Sequence, residues 1–295
     1  MLDNLNHTEN RTRGSKKSYL SPVNPKTMST LPQTLPFTVN GWTFNMNRVE
    51  GNRDAQTPFM MGGDAEADEK PIHPVRLSTF YMGEFLVTQG LWKAVMGENP
   101  AYFQHSDQHP VEHISWLDIT ETFLPQLNTL LAEPRKTYGG GAFQLPTEAQ
   151  WEYAARGGRD AVPNLAYAGS EYLHEVGWFD ENSHNQTHAV GEKFANPLGL
   201  YDMSGNVWEW CADWYSEQYY EDCLKKTKGG LKTKPDAVTD PVGPGSGAFR
   251  VLRGGGYFDH AIHWRASFRD RVLPGNRHDH VGFRLVFPVA STLAS

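Results

Sequence analysis

At 295 residues, with 39% hydrophobic, 21% charged and 12% aromatic content, the chain has room for one large domain or two small ones built around a real core. A formal net charge of −7 argues against a partner reached through nucleic-acid phosphates. No apolar run approaches the ~18 residues a spanning helix needs. Two cysteines, Cys211 and Cys223, allow one bridge at most, which excludes a disulfide scaffold and a metal–thiolate cluster.

Residues 1–36 are polar and broken by prolines, without the apolar stretch of a secretory signal. They read as a disordered leader that cannot bury enough apolar surface to fold. Cytoplasmic residence is the default expectation, with display on a cell surface or virion by another route left open. A single domain is predicted over 37–295. It begins with alternation that puts Phe37, Val39, Trp42, Phe44 and Met46 on strand faces. A strand at 59–61 and an acidic loop at 62–70 follow, and 74–92 supplies a further strand pair leading to Thr88, which is placed to cap a helix over 89–96. Ser115 opens a second helix with Trp116, Ile119, Phe123 and Leu127 at spacings of three and four. Thr147 caps a third, stopped by Gly157 and Gly158. Beyond 159 helical periodicity fades. Residues 215–248 read as a long Lys-, Gly- and Pro-rich excursion, and strand-like segments close the chain at 249–255 and 281–287. The class is α+β with long irregular connections.

Six motifs stand in order: GEFLVTQGLW (83–92), HPVEHISW (109–116), LPTEAQWEYAARGG (145–158), LGLYDMSGNVWEWCADWY (198–215), RVLRGG (250–255) and VGFR (281–284). Together they resemble the formylglycine-generating-enzyme, or sulfatase-modifying-factor, family, whose domain is a variant of the C-type lectin fold. Physically the motifs read as scaffold. Trp208 and Trp210 share one face of a strand, and Arg253 and Arg284, close to glycines, suit fixed guanidinium bridges to buried carbonyls or carboxylates.

The resemblance implies an oxidase only where two cysteines bind copper just after the RGG element. Here those positions fall on Asp259 and on His263 or Trp264, and a soft Cu(I) site cannot be rebuilt from such groups. No redox cofactor is expected.

A different branch of the fold fits the C-terminus. Diversity-generating retroelements rewrite the end of a target gene by mutating template adenines, so that AAC codons become NNC. Such codons cannot encode Lys, Glu, Gln, Met or Trp. Those first four types fill 48 of the first 250 positions and none from Val251 onward. Within 256–280, Phe258, Asp259, His260, His263, Phe268, Asp270, Val272, Leu273, His278, Asp279 and His280 are all NNC products, while Trp264 is not. The resemblance thus implies a non-enzymatic, diversified surface for an unknown protein or surface ligand, in which a few aromatic side chains carry most of the affinity.

Three alternatives stand beside it. The histidines with Asp259 and Asp279 could hold zinc or non-haem iron in a metal-dependent oxygenase, the second catalytic option beside the cysteine oxidase. The chain could also be an inert paralogue that pairs with another subunit. Finally, the resemblance implies a structural Ca²⁺ held by the Asp202 and Glu209 side chains and the Gly205 and Val207 carbonyls, with Asn182 a candidate for a second site.

Overall fold

The computed structural model describes residues 32–163, 165–227 and 236–289. The proposed leader up to residue 31 therefore lies outside the described residues. Regular structure starts earlier than the expected Phe37. Strand β1 (Thr34–Val39) takes in Pro36, which a strand at the edge of a sheet tolerates, and buries Leu35, Phe37 and Val39 on alternate positions. Asn40 and Gly41, both at positive φ, turn the chain into β2 (Trp42–Val49). An Asn-Gly pair is what the tight hairpin turn demands.

Strand β3 (Phe59–Met61) pairs with β4 (His73–Arg76), and β5 (Phe80–Gly83) pairs with β2. The strand pair expected over 74–92 is thus divided between two sheets, because β4 and β5 each find a longer-range partner. Helix α1 (Gln89–Met96) is capped by Thr88, whose hydroxyl accepts from the Leu91 amide, and ends on Gly97 at φ 83°. The helix expected from Ser115 opens with a π-helical turn over Asp118–Phe123, in which the Leu124 amide reaches back to the Ile119 carbonyl. Pro125 has no amide to offer the preceding turn, and the wider turn accommodates that loss. Helices α2 (Leu124–Leu130) and α3 (Ala132–Lys136) continue from it. Helix α4 (Glu148–Ala155) carries a full capping box between Thr147 and Gln150.

The second half has more helix than its composition suggested. Helix α5 (Leu173–Val176) and α6 (Tyr219–Thr227) appear, the latter inside the expected excursion; part of that excursion, 228–235, lies outside the described residues. Strands β6 (Trp208–Trp214), β7 (Val238–Thr239), β8 (Arg250–Arg253), β9 (Asp270–Val272), β10 (Val281–Gly282) and β11 (Val286–Pro288) complete the fold. Among the described residues the strands form three sheets, ordered β1-β2-β5-β11, β10-β6-β8-β9 and β3-β4-β7. The core between them is aromatic, with Trp151, Trp210, Trp264 and Phe37 wholly enclosed. Two consequences position the site. Strand β6 runs down the middle of the second sheet, carrying Trp208 at one end, and the chain beyond β8 folds across that end.

Candidate binding surface

Four arginines near or within the last forty-odd residues hold this region to the core. Arg253 donates to Glu152 at 2.5 Å and to the carbonyls of Ala266 and Ser267 at 2.8 and 2.9 Å. Arg269 makes a two-bond contact with Glu148 at 2.6 and 3.0 Å, Arg284 another with Glu209 at 2.6 and 2.8 Å, and Arg265 a third with Glu69 at 2.9 and 2.7 Å. Arg253, Arg269 and Arg284 are buried, so each pair is shielded from water and its geometry has to be good. Burial alone would lower the Arg253 and Arg269 pKa, but the carboxylates beside them hold both guanidinium groups charged. The expectation of guanidinium bridges from Arg253 and Arg284 is met. Asp213, next to Glu148, is pushed up to about 8 by burial first and by that neighbouring charge second.

The backbone of 256–280 is fixed largely by groups outside it. The Ser183 hydroxyl donates to the Tyr257 carbonyl and the Ser204 hydroxyl to that of Trp264. The amides of His113, Leu117 and Trp208 reach the carbonyls of His278, Pro274 and His280. On the side of the segment all five bonds use backbone carbonyls, so they do not draw on its own side chains.

Burial follows the same division. None of the eleven candidate contact residues is buried: Phe258, His260 and Leu273 are exposed and the other eight are partly accessible. Between them Trp264, Ala266, Ser267 and Arg269 are buried. Trp264, which NNC cannot encode, lies wholly inside, against Phe179.

Most of the aromatic side chains among the eleven fall into two groups, one of them against Trp208. In the first the Phe258 ring meets His280 edge-on at 4.6 Å, and His280 lies 5.1 Å from His278, so these two histidines do share a face. Asp279 hydrogen-bonds His280 at 2.9 Å. In the second His263 and Phe268 lie 4.8 Å apart, each within 6.5 Å of Trp208. With Asp270 they line an open cleft shared with Asp68 and Tyr215. Val272 sits on β9 beside this group. His260 stands apart, paired with Asp180 at 2.7 Å. Asp259 also serves the frame, since its carboxylate accepts from Trp208 Nε1 at 2.6 Å and from the Gly256 amide at 2.9 Å.

Sequence reasoning missed the loop after α1. Phe103 packs edge-on against Tyr257 at 5.3 Å, and its amide donates to Glu112 at 2.8 Å. Burial pushes the Glu112 carboxyl up to about 7. The adjacency of Tyr102 and Phe103 was the one available signal, but an isolated aromatic pair does not reveal what it will touch.

The residues of the two expected metal sites have these surroundings. No group of three or more His, Cys, Asp or Glu side chains able to hold a metal ion occurs among the described residues, and the histidines of 256–280 turn to separate partners. At the expected calcium ligands the carboxylates have protein partners. Both Glu209 oxygens accept from Arg284, while those of Asp202 accept from the Gly191 amide and from Asn206. Arg284 supplies the positive charge a calcium ion would bring. Gly205 and Val207 therefore have no free carboxylate beside them from this pair. Asn182 is likewise spent on its own loop, accepting from the Phe179 amide and donating to the Gly177 carbonyl.

The fold is the C-type-lectin-like architecture of the formylglycine-generating enzymes. The chain matches the sulfatase-modifying factor enzyme 1-like domain over residues 46–289 and belongs to that family. A formylglycine-generating enzyme from Streptomyces coelicolor is 35% identical over 194 residues, covering 60% of this chain and 52% of that protein. The chain thus spans about half the length of that enzyme. The chaperone protein LppX of Paenibacillus barcinonensis is 35% identical over 198 residues, 53% of this chain and 70% of that one. Among solved structures, Treponema denticola variable protein 1 superposes with a TM-score of 0.71 at 30% identity, over 87% of this chain and 99% of its own. PvdO from Pseudomonas aeruginosa shares the fold, with a TM-score of 0.61 at 23% identity over 82% and 94% of the two chains.

Proposed function

We propose that this chain is a non-enzymatic ligand-binding protein that displays a diversified surface, the variable protein of a diversity-generating retroelement. The observation that carries the reading is the sorting within 256–280. All eleven positions reach solvent, while Tyr257, Trp264, Ala266, Ser267 and Arg269 in the same stretch are buried; Ile262, Arg271 and residues 275–277 are exposed as well. A surface meant to differ between copies needs that arrangement, because a substitution at an accessible side chain on a fixed backbone costs little stability. The likeness to a variable protein over 99% of its length supports the same reading.

Cysteine oxidation fits the residues poorly. Cys211 lies in β6 and Cys223 in α6, and both are buried. Burial pushes the Cys211 thiol well above its ordinary range, with Asp213 adding to the effect, so it does not supply the thiolate such chemistry needs. The partner is a protein or surface ligand, and no described helix is long and apolar enough to cross a membrane.

Deep sequencing of the 3′ end of the gene across a natural population tests the reading. The expected result is variation concentrated at the eleven codons, with a near-copy of that stretch nearby carrying adenines at the matching positions. A uniform sequence with no such copy would overturn it.

A further inference from the structure

We infer that the binding face has a constant half, centred on Tyr102 and Phe103, and that it favours protein partners with a basic surface. The inference rests on the ligand-binding reading above and names the partner class for that same face.

Tyr102 is 67% exposed, yet the backbone beneath it is firmly held. The Phe103 amide donates to Glu112 at 2.8 Å, and the Phe103 carbonyl accepts from Gln89 Nε2 at 2.7 Å. Glu112 and Gln89 are both buried, and Asn99 in turn donates to Gln89 Oε1 at 2.9 Å. An exposed aromatic ring on a backbone fixed by interior groups loses little entropy on binding, which is what a strong contact residue requires.

The rings continue without a gap into the variable segment. Tyr102 meets Phe103 at 4.9 Å, Phe103 meets Tyr257 at 5.3 Å, and Tyr257 meets Phe258 at 5.2 Å. Tyr102 and Phe103 lie far outside 256–280, so retroelement mutagenesis of that stretch leaves them unchanged. A partner seated on Phe258 and His280 therefore meets Tyr102 and Phe103 too.

Charge beside the second group, against Trp208, indicates the partner. The open cleft there is bordered by Glu66, Asp68 and Glu217, all outside the variable segment, and by Asp270 within it. Glu66 and Glu217 make no ion pair among the described residues. Two cations reach the cleft. Arg269 is already matched by Glu148, and Arg271 stacks on Tyr215 with its charge centre 4.5 Å from the ring. The constant border is thus acidic, and it complements a folded protein that presents lysines or arginines around an apolar spot.

A display library randomised at the eleven positions provides the test, selected against lysozyme as a basic protein and ovalbumin as an acidic one. Clones are expected mainly against lysozyme. Tyr102→Ala should weaken independent lysozyme clones tenfold or more, with Tyr102→Phe restoring most of the affinity and neither change moving the melting temperature. Glu66→Gln with Glu217→Gln should weaken the same clones at least threefold. Losses below twofold from Tyr102→Ala across clones would overturn the constant half while leaving binding itself intact. Equal recovery against ovalbumin would overturn the preference for basic partners. A library yielding no binder to either protein would bring down the binding reading and this inference together.

Discussion

The arginine frame and the contact surface are drawn from the same stretch of chain and from similar residue types, but they behave as opposites. Arg269 and Asp270 are neighbours: the first is buried in a two-bond contact with Glu148, and the second opens onto a cleft. Trp264 is enclosed, while Phe268, four residues on, is partly accessible. Alternation of inward and outward positions, more than composition, separates what must stay from what can change. A polar group in the frame has a fixed partner whose loss leaves a buried charge, whereas one on the surface has water as a ready substitute.

The contrast can be broken most directly at Arg269. Arg269→Ala strands the Glu148 carboxylate inside the protein and should cost about 3–5 kcal/mol, read as a large drop in the denaturant midpoint. A loss below about 1 kcal/mol would mean that the buried pairs are not what holds the segment. At the other extreme, replacing Phe258, His260 or Leu273 singly with Asn, the residue an unmutated template encodes, should shift stability by no more than about 0.5 kcal/mol. A cost of several kcal/mol at any of them would place that side chain in the frame.

Glu112 gives the comparison a pH axis. Its folded pKa of about 7 lies above the ordinary carboxylate value, so it contributes stability while protonated, and that contribution is lost as pH rises through about 7. Glu112→Gln keeps an acceptor for the Phe103 amide but cannot ionise. The variant should therefore gain on the wild type in thermal melts between pH 5 and pH 8, and parallel profiles would show that Glu112 does not titrate in that window. The smallest effect is expected from chelation. With Arg284 on Glu209, a chelator should leave the melting temperature within about 1 °C, and a fall of several degrees would show a cation sharing that carboxylate.

Much of the frame was legible in the sequence because its signals are local. Thr88 and Thr147 announce their helices through side chains three residues from the amides they cap, and the positive φ of Gly157 marks the end of α4. What escaped depended on distant partners. Helix α6 has a weakly apolar sequence, and its place is set by Tyr220 packing against His73. The division of β4 and β5 between two sheets arises from pairings with β7 and β11, more than a hundred and fifty residues along the chain. Codon logic proposed eleven positions without separating them from buried neighbours such as Tyr257 and Ala266, and it could not reveal the bond from Asp259 to the Trp208 indole or the adjoining Tyr102 loop. The surroundings of the expected calcium ligands were hidden for a similar reason: a motif resemblance supplies oxygens, and only the fold reveals that the Arg284 guanidinium sits on Glu209.

Strands β10 and β11 come after the segment proposed to vary, and they pair with β6 and β5 in two different sheets. Translation must therefore run through every rewritten triplet before either sheet can close. Triplets ending in cytosine include no termination signal, so scrambling their first two letters never cuts the message short of those last strands. Under the proposed function the genetic alphabet of the exchange and the closing order of the architecture would be matched, each rewritten copy still encoding the strands that close both sheets.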